Sequence, residues 1–166
     1  MGQPIVGPKE DLRQAIIAGL EANLKTAEKA ANSARDTAIS KESIAENKYD
    51  TFGLEASYLA HGQSQRVLTL MQEIETYRSL PFKAFSHQDS IDISCFVRLQ
   101  NPQNQVKSFF IGPTSGGMKL KWKQHDLVII TPETPVGKNL MGKTLGDEVA
   151  LAPGPDEVTY EIIELV

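Results

Sequence analysis

The sequence predicts an α+β protein, in which an antiparallel helical hairpin (a coiled coil) precedes a small antiparallel sheet carrying one short helix. Two observations lead there. After Pro8, residues up to about 80 contain no proline, are rich in Ala, Glu, Lys, Leu and Gln, and place apolar side chains every three or four positions. Residues 81–166 hold seven of the nine prolines and most of the β-branched runs. The period changes at Ser79-Leu80-Pro81-Phe82, which divides the chain into an arm over 8–80 and a domain over 81–166.

The first helix starts at Pro8, a residue tolerated in a first turn, with Glu10 and Asp11 favoured by the positive helix end. Its stripe runs Leu12, Ile16, Leu20, Leu24, Ala27, Ala31, Ala34, Ala38, from large residues to small. A second stripe runs Ala45, Tyr49, Phe52, Ala56, Leu59, Gln63, Val67, Leu70, Ile74, Tyr77. Between them Ser43 and Glu46 form a capping-box pattern that would open the second helix. A turn at 40–43 sets Leu12 opposite Leu70, Leu24 opposite Leu59, Ala31 opposite Phe52 and Ala34 opposite Tyr49, small against large. A rival register turns at Asn47–Asp50. Gly53 and Gly62 each weaken the second helix by about 1 kcal/mol relative to Ala. Helices of about 30 residues reach roughly 45 Å, the dimension of an arm.

In the second half, Ile91, Ile93, Cys95, Val97 and Leu99 alternate with mostly polar neighbours, the mark of a strand with one buried face. Asn101-Pro102-Gln103-Asn104 is a turn, and Val106–Ile111 returns as a hairpin partner. Met118, Leu120 and Trp122 alternate with Lys119, Lys121 and Lys123, and the apolar run from Leu127 to Thr131 reads as a central strand. A proline-led short helix begins at Thr134-Pro135, stops at Gly142 and is followed by a Leu145-Gly146-Asp147 turn. Glu148–Leu151 and Val158–Leu165 complete the sheet.

Composition narrows the class. Apolar residues make up 40% and charged residues 23%, which is ordinary for a soluble protein. A net charge of −4 argues against duplex DNA as the principal partner, because that affinity rests on cationic neutralisation of phosphates. The single Cys95 forms no internal disulfide, no apolar run reaches membrane-spanning length, and the start lacks a signal-peptide pattern. The expectation is a cytoplasmic, monomeric protein.

The run Thr134-Pro-Val-Gly-Lys-Asn-Leu-Met-Gly-Lys-Thr-Leu-Gly-Asp-Glu-Val149, with the closing Val158–Val166, resembles the C-terminal signature of the bacterial GreA/GreB transcript-cleavage factors. There a Ser-Pro-led helix ending in Leu-Gly-Lys precedes Gly-Asp-Glu-Val and a last strand. The likeness covers about 88–166 closely, and 8–80 through hairpin architecture alone. It implies a C-terminal domain similar to FK506-binding proteins and a transcription elongation factor that is not itself an enzyme. It further implies an arm in the secondary channel of RNA polymerase, with indirect contact to RNA and DNA. In that family two acidic tip residues help hold a second Mg²⁺ of the polymerase, an ion suited to hard oxygen ligands and able to activate water. The factor has no cofactor of its own beyond that shared ion. Docking on the polymerase rim carries over to Thr134 and Pro135.

The tip departs from the family's Gly-Asp-x-x-Glu-Asn. This chain offers Glu42, Glu46, Asp50 and Glu55, and only Glu46-Asn47 matches part of the pattern. Glu46 has a capping role as its alternative and Glu42 that of a solvated turn charge. A channel occupant lacking the acidic pair would inhibit or compete with cleavage factors. Two further readings are an isomerase of prolyl peptides, using an apolar pocket drawn from Phe82, Phe85, Phe96, Phe109, Phe110, Trp122 and Tyr160, and an adaptor that dimerises through its heptad face. His61, His87 and His125 lack metal-ligand spacing, Cys95 is placed as a core thiol, and the lysine row suits the wet face of an edge strand or a contact to an acidic partner or RNA.

Overall fold

The computed structural model describes residues 9–44, 52–151 and 154–166, the side chains of 41–44 and 52–53 excepted. Its elements are α1 (Glu10–Ile44), α2 (Phe52–Ser79), β1 (Phe96–Gln100), β2 (Val106–Ile111), β3 (Lys119–Trp122), β4 (His125–Ile130), α3 (Pro135–Leu140), β5 (Glu148–Ala150) and β6 (Thr159–Leu165). They form two compact units, one of Ile17–Glu75 and one of Met1–Ile16 with Thr76–Val166.

The second of these is built on a six-stranded sheet ordered β3-β4-β2-β1-β6-β5. One face buries Val97, Leu99, Ile111, Ile130, Tyr160, Ile162 and Leu165 together with Leu140 of α3. The other buries Phe96, Phe110, Trp122, Leu127 and Ile129. Alternation along the strands produces both sets, since successive side chains leave opposite faces. A register shift in the pairing of β6 with β1 brings Ile162 and Leu165 to the same face. Phe82 stacks on Phe110 with ring centroids 5.3 Å apart, and the Tyr77 hydroxyl donates to the Thr114 carbonyl at 2.7 Å. Arg13 ties the chain ends of this unit together. Its guanidinium donates to the carbonyls of Tyr77 (2.7 Å) and Leu80 (2.6 Å) and lies over the Phe82 ring.

The sheet is mixed rather than wholly antiparallel, because β2 and β4 run parallel. The loop after Ile111 skips one strand position to reach the edge strand β3. The β3–β4 hairpin then returns the chain between β3 and β2, in the direction of β2. The central place expected for Leu127–Thr131 is therefore met, as is the edge position of the lysine row. The strand expected from Ile91 begins only at Phe96. A turn intervenes, with Cys95 N–H bonded to the Asp92 carbonyl and Ser94 at φ 74, so Ile91 and Cys95 are buried without belonging to a strand.

In the unit Ile17–Glu75 the stripe of α1 is as read: Leu20, Ala27, Ala34 and Ala38 are buried and Leu24 and Ala31 half-buried. On α2 the inward positions are Ala56, Ala60, Gln63, Val67, Leu70 and Ile74. Leu59 is 56% exposed and Ala60 takes its place, which makes the spacing a regular alternation of four and three. The turn at 40–43 is overturned, since α1 continues through those residues to Ile44. Ser43 accordingly lies inside α1, where the start of the second helix was expected. The rival turn, at 47–50, lies outside the described residues. A shallow groove in this unit has Ala31, Asn32 and Arg35 on α1 and Ser64, Val67 and Leu68 on α2 among its walls. Ala31 thus shares its surroundings with Val67, where Phe52 was the expected neighbour.

Candidate functional site

The loop after β4 is organised around Thr134. At φ −70 and ψ 154 it is extended, as an N-cap residue is, and its hydroxyl accepts the Gly137 N–H at 3.0 Å. The same hydroxyl donates to the Thr131 carbonyl at 2.8 Å, so both its donor and its acceptor capacity are used. Pro135 follows at the first helical position, where its missing N–H costs nothing, and its ring is exposed. Gly137 is buried against Thr131: a Cβ there would overlap the Thr131 carbonyl oxygen.

At its far end α3 is held as firmly. Leu140 is fully buried, and Gly142, at φ 78, stops the helix. Its N–H bonds to the Ile91 carbonyl at 2.9 Å, while Ile91 N–H bonds to the Lys143 carbonyl at 2.7 Å. In the next turn Asp147 accepts from the Thr144 N–H at 2.8 Å, which holds its carboxyl below the ordinary range. Beside α3 and β5 lies an open groove of about 820 Å³ whose walls include Pro135, Lys138, Met141, Asp147, Val149 and Glu157. The exposed Pro135 therefore stands on a rigid loop at the margin of a groove of mixed charge.

The acidic candidates fall elsewhere. Glu55 is exposed in the first turn of α2, and Glu42 belongs to the last turn of α1, its side chain outside the described residues. Glu46 and Asp50 lie wholly outside them. Among the described residues no group of three or more His, Cys, Asp or Glu is placed to hold a metal ion. His61 and His87 are exposed, and His125 packs 6.0 Å from the Phe96 ring.

Two functional groups meet inside the sheet unit. Lys9 is buried, and its ammonium donates to the carbonyls of Ser94 and Val166, the latter at 2.7 Å, while lying over the Phe85 ring. Burial lowers its pKa from 10.5 to about 8. Cys95 beside it is fully buried, and burial raises its thiol from 9.0 to about 12, which leaves it an unreactive core group. Sequence reasoning missed Lys9. Its one trace is a lysine beside a helix N-terminus, where the macrodipole disfavours a cation. The aromatics proposed for an isomerase pocket are taken up in packing: Phe96, Phe110, Trp122 and Tyr160 are buried, and Phe96 meets Trp122 edge-on at 4.9 Å.

The family model described as transcription elongation factor, GreA/GreB, C-terminal, matches residues 86–165, the span that includes this loop, α3, its glycine stop and the last strand. Residues 86–165 are thus a GreA/GreB C-terminal domain by this match. Proteins of this family are accessory transcription factors. Among solved structures, GreA factor homolog 1 (Gfh1) of Thermus thermophilus is similar at 17% identity over 90% of this chain and 94% of that one, with a TM-score of 0.37. Gfh1 of Thermus aquaticus is similar at 19% identity over 88% and 90%, with a TM-score of 0.38. No curated protein matches the chain. The GreA/GreB assignment rests on the domain match. No helix of the described residues is long and apolar enough to cross a membrane.

Proposed function

We propose that this chain is a GreA/GreB-family factor that docks on the rim of bacterial RNA polymerase through Thr134 and Pro135, and that its helical hairpin enters the secondary channel to act on backtracked or paused complexes. The observation that carries the reading is the preorganised loop. Thr134 is fixed by two hydrogen bonds, Gly137 allows close approach of the backbone, and Pro135 is presented to solvent. A rigid exposed element loses little freedom on binding, which favours a docking role. The hairpin supplies further support. Among the described residues Ile39, Leu54, Tyr58, Leu59, Leu68 and Met71 are large, apolar and more than half exposed, and all six lie in Ile17–Glu75. Exposed apolar side chains gathered in that one unit suit a segment covered by a partner.

The test is RNA cleavage in a stalled elongation complex, with the native chain and with a Glu42→Ala, Glu46→Ala variant. Stimulation lost in the variant supports a tip that shares the polymerase's Mg²⁺. Stimulation retained moves the acidic role to Asp50 and Glu55. Binding to the core enzyme with no stimulation makes the chain a channel occupant that competes with cleavage factors. Absence of both binding and stimulation refutes the proposal.

A further inference from the structure

The strand β3 forms one edge of the sheet, opposite the edge occupied by β5 and its groove. Which of its backbone groups are free follows from its pairing with β4. Ile129 turns both polar groups toward this strand, its N–H bonding to the Met118 carbonyl at 2.9 Å and its carbonyl accepting the Gly117 N–H at 2.8 Å. Bonded and non-bonded pairs alternate along an antiparallel ladder. Leu120 with Leu127 and Trp122 with His125 are then the bonded pairs. Lys119 and Lys121, opposite Val128 and Asp126, direct their N–H and carbonyl groups away from the sheet. The two-residue turn Lys123-Gln124, at φ 47 and 67, has the twist that keeps this register. Among the described residues no strand pairs with that edge.

Side chains follow the same alternation. Lys119 and Lys121 are exposed on one face, whereas Leu120 is half-buried and Trp122 buried on the other. The Lys123 ammonium lies 4.7 Å from the Trp122 ring centroid, and Trp122 Nε1 has no acceptor. An open groove of about 470 Å³ follows Lys119, Leu120, Lys121, Asp126, Leu127 and Val128. The Lys121–Asp126 pair spans 3.6 Å with both side chains largely in solvent, so it is easily exchanged for another partner.

We propose that the outer edge of β3 is a docking site for an acidic, extended segment of a partner protein, added antiparallel as a further strand. Lysines on an edge deter neutral and basic strands, which is their usual service against aggregation. Toward a strand bearing carboxylates at alternate positions the same charges are attractive, so the edge is selective rather than closed. Main-chain bonds to Lys119 and Lys121 supply affinity, and the lysine ammonium groups select acidic residues, with apolar ones favoured toward Leu120 and Trp122. A nucleic-acid backbone would answer the ammonium charges but leave the outward N–H and carbonyl pattern unmatched, which is why a polypeptide is the occupant named here.

The experiment titrates the full chain with a capped peptide of alternating Glu and Val, followed by fluorescence anisotropy. Saturable binding is expected. A version N-methylated at its Glu residues, which removes the N–H groups facing β3 in antiparallel register, should bind at least about tenfold more weakly. The surface variant Lys119→Gln, Lys121→Gln, its fold verified by circular dichroism, should weaken the parent peptide by about tenfold or more. No saturable binding overturns the proposal. So does binding that N-methylation leaves unchanged, or binding that a single-stranded oligouridylate displaces while the methylated peptide binds like its parent, since each reduces the edge to a patch of charge.

Discussion

Thr134 and Gly137 form a closed unit in which the hydroxyl of one accepts the backbone N–H of the other at 3.0 Å, and both pack against Thr131. This contact sets the direction in which Pro135 is displayed. Substituting Gly137→Ala places a methyl group into the Thr131 carbonyl, so the loop must open. We expect a loss of about 2–3 kcal/mol in unfolding free energy and a parallel loss of polymerase binding, read by urea denaturation and by titration against core enzyme. A variant as stable as the parent would contradict the close packing.

Removing the cap is a milder change. Thr134→Ala leaves the Gly137 N–H without its acceptor and should cost about 1 kcal/mol. Thr134→Ser retains both bonds and should remain near the parent. Thermal denaturation of the three proteins, side by side, checks the order.

Tyr77, in the last turn of α2, tests packing inside the sheet unit. Its ring is fully buried and its hydroxyl donates to Thr114 at 2.7 Å, close to where a side chain on Gly112 would stand. Tyr77→Phe deprives a part-buried carbonyl of its donor and should destabilise by about 1 kcal/mol. Gly112→Ala should do at least as much by displacing the hydroxyl. If the two effects add fully in the double variant, the residues are not coupled as the geometry requires.

Lys9 and Cys95 give stability a pH signature. Native Lys9 releases its proton near pH 8, whereas the unfolded chain holds it to about 10.5, so between these values the unfolded state binds more protons and stability rises with pH. Cys95 acts with the opposite sign. Unfolded it ionises near 9.0 and native near 12, so stability falls across that window. The sum is a rise from 8 to 9, near cancellation up to 10.5, and a fall beyond. Lys9→Met should abolish the rise and Cys95→Ala the fall. Urea midpoints across this range decide the matter, and a parent and Lys9→Met variant with parallel profiles would show that Lys9 keeps an ordinary pKa.

Local patterns carried much of the fold, and the misses have physical causes. Leu12 to Ala38 stood out as one stripe because a helix face repeats every three or four residues whatever surrounds it. Pro135 and Gly142 were readable because a first-turn proline and a glycine stop act within a few residues of one another. The turn was misplaced because Ser43 and Glu46 match a capping pattern in the sequence, whereas α1 runs on to Ile44. Leu59 was set inward because three residues from Ala56 and four from Gln63 also fit a helical rhythm, although the adjacent Ala60 continues the buried face better. The parallel pairing of β2 with β4 depends on a skipped strand position, and the burial of Lys9 on carbonyls 85 and 157 residues away. Neither is encoded in any short window.

The most direct test of the central claim is equilibrium binding of the full chain to core RNA polymerase, with Pro135→Ala and the double change Thr134→Ala, Pro135→Ala as comparisons. The account predicts saturable binding by the parent at micromolar concentration or below, weakened about tenfold or more by the double change. A chain that does not bind the polymerase, or binds equally well with Thr134 and Pro135 replaced, would contradict it.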